Sequence, residues 1–407
     1  MSDIKGSSVR FSFLREGLMP QEEKLEVATR QRKLVIGVPK ELEKLENRVP
    51  LTPEAVEILT GNGHDLYIEK DAGKGANYTD SDYSERGGTI IDSREKIFQS
   101  DVILKVAPLT PQEILLLRGK QTIISSLHLN NQTRECILGM MQKRITAVAF
   151  ENIKDEYNTY PVARMMSTIA GTTAILVAGE LLSNEHGGKG VLLGGVTGIS
   201  PTDVVILGSG TVAEYAARAA MGLGASVKVF DHSLNNLRRL QNNLRFPVYT
   251  SIFHPHVFEK ALRSADVLIG AVNLREKGPR YLVTEEMVQI MKKGTVIIDV
   301  SIDQGGCIET SECRSQNDPV YIKHGIIHYC VPNLASRVSR TASIALSNVF
   351  LPLLLEMGEN STTDHMSRVN TGFRHGIYIF NGIMTNKFMG EHFGIPHQDI
   401  NLLMAAF

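Results

Sequence analysis

The stretch VVILGSGTVAEYAARAAMGLGASVKVFD, running from Val204 to Asp231, restricts the possible folds more than any other. An apolar run ends at a pair of glycines, a helical pattern follows, and a second apolar run ends at an aspartate. Gly208 permits the tight turn out of a strand. Gly210 leaves the backbone bare where a pyrophosphate can approach, and Ala213 is small where helix and sheet must pack closely. The start of the helix offers free N–H groups to the phosphates. Val212, Tyr215, Ala216, Ala219 and Leu223 recur at helical spacing and are expected to form its buried face. Asp231, at the end of the next strand, can accept hydrogen bonds from both ribose hydroxyls and would repel a 2′-phosphate, which favours NAD over NADP. An α/β turn whose glycines serve geometry alone has the same letters; the strand–turn–helix context and the spacing of the acid favour dinucleotide binding. The neighbouring His232 reads as a solvated surface residue.

The chain has 407 residues, enough for two domains, and is 43% apolar and 21% charged. A net charge of −1 lacks the basic excess of proteins that bind nucleic acid or anionic lipid. The four cysteines, Cys136, Cys307, Cys313 and Cys330, form no C-x-x-C pair and read as free thiols in a reducing cytoplasm. Residues 1–32 are polar and mixed, with one expected helix at Glu22–Gln31, and carry no signal-peptide pattern. The run SIALSNVFLPLLLEM is too short and too polar for a membrane span and reads as a buried helix.

From Lys33 onward β-rich runs alternate with helical patterns. KLVIGV, DLYIE, VILKV, QTIISSL and ITAVAFE form a first series. VVIL, VKVF, VLIGAV, TVIIDV and IIHYCV form a second, with helices expected at Ser233–Leu244, Val257–Ser264 and Thr284–Lys292. Such alternation implies parallel sheets covered on both faces. A long helical pattern, YPVARMMSTIAGTTAILVAGELLS, can bridge two lobes, and the tail GIYIFNGIMTNKFMGEHFGI is expected to pack on the first.

The segments GVPKELEKLENRVPLTPEAV, VILKV, SSLHL, MMSTIAG, GGKGVLLGGVTGISPTDVVILGSGT, IIDVSIDQGGCIETS, DPVYIKHGIIHYCVPNL and RTASIALSN together resemble the alanine dehydrogenase family, relatives of the NAD-binding part of proton-translocating transhydrogenase and of lysine-forming saccharopine dehydrogenase. The resemblance runs from about Lys33 to about Ile395. It implies an α/β fold of two Rossmann-like, doubly wound lobes with a cleft between them. Residues 33–160 plus 338–407 would form the substrate lobe and residues 161–337 the NAD lobe, with 1–32 as an extension. It also implies NAD as cofactor, oxidative deamination of L-alanine to pyruvate and ammonia, and a homohexamer.

Such chemistry needs a cation for the substrate carboxylate, a base, and a nicotinamide over the Cα hydrogen. Arg48, in ENRVPLTP, resembles the carboxylate-binding arginine of the family; read alone, it also fits a surface salt bridge. Lys105, near the carboxyl end of VILKV, is expected to point into the cleft and resembles the family's catalytic lysine, which binds the substrate's carboxylate or carbonyl oxygen. The acid that usually follows that lysine is absent from KVAPL, which leaves the charge of the pocket open. His128, in SSLHLN, resembles the general acid/base; imidazole titrates near neutral pH. Asp303, in SIDQGG, is implied near the nicotinamide ribose and the reacting centre, Asn333 on the nicotinamide side, and Ser167 against the cofactor's nicotinamide half. Asp299 reads as a buried strand-end acid. His254 and His256 form an H-x-H pair with no acid or thiol cluster to complete a metal site, and no nucleophile elbow is present. Two other readings remain: an NAD(H)-binding subunit of a membrane transhydrogenase, against which Lys105 and His128 together stand, and a dehydrogenase for another amino acid or a lysine conjugate, which would keep that lysine and histidine.

Overall fold

The structure is a computed structural model. It describes residues 33–42, 46–127, 132–272, 281–359 and 363–406. The N-terminal extension, its expected helix and His128 lie outside the described residues.

Two sheets organise the chain. The first has eight strands in the spatial order Ile383–Met384, Ile377–Phe380, Thr146–Ala149, Thr122–Ser125, Val102–Leu104, Val35–Val38, Asp65–Glu69, Thr89–Ile91. The second has seven: Val320–Lys323, Ile326–Tyr329, Val296–Asp299, Val267–Gly270, Asp203–Leu207, Ser226–Phe230, Tyr249–Ser251. The interior pairs are parallel. Both faces of each sheet are covered, so the strands read as unbroken apolar runs. In the first sheet Ile36, Leu104, Ile124 and Val148 enter one core while Ile103, Ile123 and Ala147 enter another. In the second, Val204, Ile206 and Ile269 face one way and Val205, Leu207 and Leu268 the other. Each fully buried Ile, Leu or Val contributes roughly 1.5–3 kcal/mol.

Two edges of the sheets are antiparallel hairpins that the strand reading did not resolve. Val320–Lys323 pairs with Ile326–Tyr329 through His324 and Gly325, at φ 55° and 78°. Ile377–Phe380 pairs with Ile383–Met384 through Asn381 and Gly382, at φ 48° and 84°. Two successive residues with positive φ match the right-handed twist of the flanking strands. The second hairpin fastens the C-terminal segment to the first sheet, alongside Thr146–Ala149.

Helices begin where their caps dictate. Ser233 caps Leu234–Leu244 through the N–H of Asn236, and Thr284 caps a helix through the N–H of Met287. That second helix ends at Gln289, short of Lys292, because the chain turns at Gly294 (φ 74°) into the next strand. The helix expected at Val257 begins at Pro255, whose fixed φ suits a first turn.

Pro161–Leu181 and Leu334–Glu359 are long and apolar enough to cross a bilayer by length and composition. In this fold they link the two sheets, and they pack on each other. The RTASIALSN motif, with Ser336 just before it, has a physical role here. The hydroxyls of Ser336, Ser343 and Ser347 accept the backbone N–H groups of Asn47 (3.0 Å), Val49 (2.9 Å) and Thr52 (3.1 Å). Those three serines hold the ENRVPLT segment in place.

Candidate active site

The glycine loop is built as its letters require. Gly208 has φ 95°, and a Cβ there would lie 2.3 Å from the carbonyl oxygen of Ala271. Gly210 caps the helix Thr211–Gly222 and has no neighbour within 4 Å of an added Cβ, which leaves room for a ligand at the helix N-terminus. Ala213 is fully buried. The buried face of this helix is Ala213, Ala216, Ala217 and Ala220; of the five residues expected there, Ala216 alone belongs to it, and Leu223 is 48% exposed. Close approach explains the shift. Gly171 of the bridging helix Pro161–Leu181 meets this helix so closely that a Cβ would fall 2.3 Å from Val212 O. The face of smallest side chains therefore turns inward.

Asp231 stands at the end of its strand, 6% exposed. Its Oδ2 accepts the Ser209 hydroxyl at 2.6 Å and its Oδ1 the N–H of Ser233 at 2.8 Å. Ser209, between the two loop glycines, went unremarked in the sequence although it orients the acid. His232 is largely exposed, with Nδ1 3.4 Å from Asp231. Ser167 lines a cavity of about 410 Å³ together with Thr211, Glu214, Tyr215, Arg164 and Arg239. The bridging helix thus brings Ser167 beside the N-terminus that follows the glycine loop.

The SIDQGG turn is held from inside by Asp299. Its carboxylate accepts the N–H groups of Ser301 (3.0 Å), Cys307 (3.0 Å) and Ile308 (3.3 Å) and the Ser311 hydroxyl (2.7 Å). Burial raises its pKa, against the lowering effect of those donors. Asp303, on the outer side of this turn, is exposed and accepts the backbone N–H of Asn333 at 3.1 Å. Asn333 adopts φ 57°, a conformation that asparagine tolerates better than most residues.

Arg48 is 7% exposed and chelated by Glu46: Nε donates to Oε1 (2.7 Å), Nη2 to Oε2 (2.5 Å), and the Arg48 backbone N–H to Oε1 (3.0 Å). Burial alone would ease loss of its proton, but Glu46 outweighs that, with Glu41 and Asp303 adding to it. Asn333 Nδ2 donates to Glu46 Oε2 at 2.8 Å. A continuous string, Asp303–Asn333–Glu46–Arg48, thus crosses from the second sheet's loops to the first's.

Lys105 departs from its expected placement. It follows the strand Val102–Leu104 at the carboxyl end, but it is 2% exposed and its ammonium is enclosed. Nζ lies 3.0 and 3.1 Å from the two Glu113 oxygens, 3.1 Å from Pro108 O and 3.5 Å from Glu41 Oε2. The acid missing after the lysine is supplied by Glu113, which the capping box with Thr110 folds back under the strand end. Glu113 also pairs with Arg94, which reaches Glu69. Burial would raise the Glu113 carboxyl; Lys105, the Thr110 N–H and Arg94 together hold it below the ordinary range. Glu41, whose Oε1 accepts the Val106 N–H at 2.5 Å, is pushed up to about 7 by burial, against the opposing charge of Lys105.

Other candidates stay outside this constellation. The rings of His254 and His256 lie 6.2 Å apart, and among the described residues no three His, Cys, Asp or Glu side chains group as a metal set. His328 is buried against the Thr310 hydroxyl (2.8 Å) and Ile326 O (3.0 Å). The four cysteines are unpaired.

Two doubly wound sheets, a bare glycine turn before a helix, an acid at the next strand end, and a buried arginine across from it define a two-lobed, dinucleotide-binding protein of the dehydrogenase type. Residues 37–170 match the family profile "Alanine dehydrogenase/PNT, N-terminal domain" and residues 174–387 its "C-terminal domain". The chain belongs to the alanine dehydrogenase/PNT family. It is 37% identical over 365 residues to an alanine dehydrogenase of Bacillus subtilis (strain 168), covering 89% of this chain and 96% of that one. An alanine dehydrogenase of Staphylococcus saprophyticus is 34% identical, covering 90% and 99%. A solved L-alanine dehydrogenase structure superposes with a TM-score of 0.83 at 35% identity, covering 89% and 99%. A transhydrogenase structure from Sinorhizobium meliloti shares the fold, with a TM-score of 0.73 at 23% identity, covering 87% and 99%.

Proposed function

We propose that the protein is an NAD-dependent alanine dehydrogenase that converts L-alanine and water to pyruvate and ammonia, reversibly. The observation that carries this reading is the buried Arg48, joined through Glu46 and Asn333 to Asp303 of the cofactor-side turn. A carboxylate-binding cation is thereby set against the loop that would flank a nicotinamide. The relatives named above support the substrate. Residues 33–160 with 338–407 act as the substrate lobe and 161–337 as the NAD lobe.

A bound NAD would supply the acceptor for the hydride that leaves the substrate Cα. The chain's own residues bind and orient. Gly208, Gly210 and the helix start after them receive the pyrophosphate, Asp231 the adenosine ribose, and Ser167, Asp303 and Asn333 the nicotinamide half. Arg48 presents its Nη1–Nη2 edge, where Nη1 now rests on Met166 Sδ, to the substrate carboxylate. His128 takes a proton from the water that attacks the imine and returns one as ammonia leaves. Lys105, which the resemblance assigns to the substrate's carboxylate or carbonyl oxygen, is held at the strand end by Glu113 and Glu41 and would have to exchange one of those contacts for substrate.

A homohexamer is the assembly we infer. Leu176, Leu192, Val196, Ile199 and Leu223 are all exposed on and beside the loop of residues 187–200, and such a patch suits a second copy of the chain. Sedimentation equilibrium measures this; a monomer would overturn it. The unpaired cysteines support a cytoplasmic location.

The test of function is NADH formation across a panel of L-amino acids. Turnover of alanine, lost in His128→Ala and Arg48→Ala, is expected. NADH binding without turnover of any amino acid would replace this reading with the transhydrogenase-type one; preference for a larger amino acid or a lysine conjugate would keep the chemistry and change the substrate.

A further inference from the structure

Among the described residues, Glu46 has four donors within hydrogen-bond distance, and they come from two residues. Oε1 takes the N–H and Nε of Arg48; Oε2 takes Nη2 of Arg48 and Nδ2 of Asn333. Both Glu46 and Arg48 are nearly sealed from solvent, at 8% and 7% exposure. A guanidinium has two paired edges, and Glu46 occupies the Nε–Nη2 edge. The other edge, Nη1 with Nη2, is turned toward the bridging helix, where Nη1 rests 3.3 Å from Met166 Sδ. That edge is the one on which a second carboxylate can dock with two parallel bonds.

Asn333 is not free to follow Glu46 by itself. Its positive φ and the bond from its N–H to Asp303 tie it to the SIDQGG turn of the cofactor lobe. Glu46 Oε2 therefore has one partner on each side of the cleft. Separating the lobes would remove the Asn333 donor and leave a buried carboxylate with Arg48 as its remaining hydrogen-bond partner among the described residues.

We propose that Glu46 is a positioning residue, which fixes the edge that Arg48 offers to the substrate carboxylate and makes that orientation depend on the cofactor lobe being closed through Asn333. This rests on the amino-acid dehydrogenase reading above. Because Glu46 already neutralises Arg48, its effect on the substrate is one of geometry. A purely electrostatic role has the opposite signature: removing the negative charge would tighten carboxylate binding and leave kcat alone.

The experiment uses the full-length protein at saturating NAD and compares Glu46→Gln, Glu46→Asp, Asn333→Ser and the double variant Glu46→Gln/Asn333→Ser. Thermal melting and NADH titration establish that each variant is folded and binds dinucleotide. Glu46→Gln keeps the size of the side chain, but its amide nitrogen faces donors. Glu46→Asp is one methylene too short to serve both partners. Each is expected to lower kcat/KM for L-alanine about 10- to 100-fold, with kcat carrying part of the loss and NADH affinity within about threefold of the parent. The double variant is expected to be no worse than the poorer single one, because both changes break one string. A Glu46→Gln enzyme within about threefold of the parent, one whose KM falls at unchanged kcat, or effects that multiply in the double variant would overturn the proposal. Failure of the parent to turn over any amino acid would overturn the functional reading and this inference with it, a result distinct from the other three.

Discussion

The pyrophosphate and adenosine side of the cofactor site is drawn from one continuous stretch, Gly208 to Asp231, while the substrate half takes Glu41, Glu46 and Arg48 from one loop, Lys105 and Glu113 from another, and Asn333 from the opposite lobe. In the first, each residue acts through backbone shape and local hydrogen bonds: Gly208 by its φ, Gly210 by its missing Cβ, Asp231 by bonds to Ser209 and Ser233. In the second, the charged side chains are buried, and the network joins segments far apart in sequence: Lys105 meets Glu41, and Glu46 meets Asn333. A local site can be changed one function at a time. A buried charge network cannot, since removing one member leaves another without its counter-charge.

Arg48→Ala tests the contrast most severely. It is expected to lower kcat/KM for L-alanine by about 1,000-fold or more, while NADH affinity, read by fluorescence titration, changes little. Equal loss of NADH binding would show that the halves are not separable. Next comes Glu113→Gln, which removes a carboxylate from between Lys105 and Arg94. Thermal or urea unfolding should show a loss of about 3 kcal/mol although Glu113 is not assigned to either ligand.

The two loop glycines should part company. Gly210→Ala is expected to leave the melting temperature unchanged and weaken NADH about tenfold, since an added Cβ meets only the space meant for the ligand. Gly208→Ala is expected to lose about 1–3 kcal/mol of stability as well, because its φ is positive and Ala271 O stands in the way. If both behave alike, the loop is not divided between fold and ligand as described.

The smallest effect concerns pH. Glu41 titrates at about 7 in the fold against 4.5 ordinarily, burial being the main cause. Below about pH 4.5 it is protonated in the folded and the unfolded chain. Between there and about pH 7 the unfolded chain releases the proton and the fold retains it, so this contribution to stability falls as pH rises and then levels off. Glu41→Gln should flatten that part of the profile of unfolding free energy against pH.

How much could be read in advance follows the same division. The glycine turn, its helix and the acid were legible because each depends on near neighbours. The asparagine–glycine pair at Asn381–Gly382 was a legible hairpin signal that the strand reading passed over. The inward face of the Thr211–Gly222 helix was not legible from periodicity, because the contact at Gly171 selects the smallest side chains over the most apolar. Lys105 misled for a related reason. Its place at a strand end was correct, but Glu113, folded back by a local capping box, and Glu41, from a separate loop, enclose its ammonium.

The sequence by itself determined the alternation of strands and helices, the dinucleotide turn and the choice of Asp231, since backbone sterics and hydrogen bonds act within a few residues. Tertiary structure alone decided which carboxylates enclose Lys105 and which edge of Arg48 Glu46 occupies. It also decided that Glu46 would meet Asn333, 287 residues away. Charge pairing in a buried site acts through space, over a few ångströms, and the order of residues along the chain does not encode which side chains will come that close.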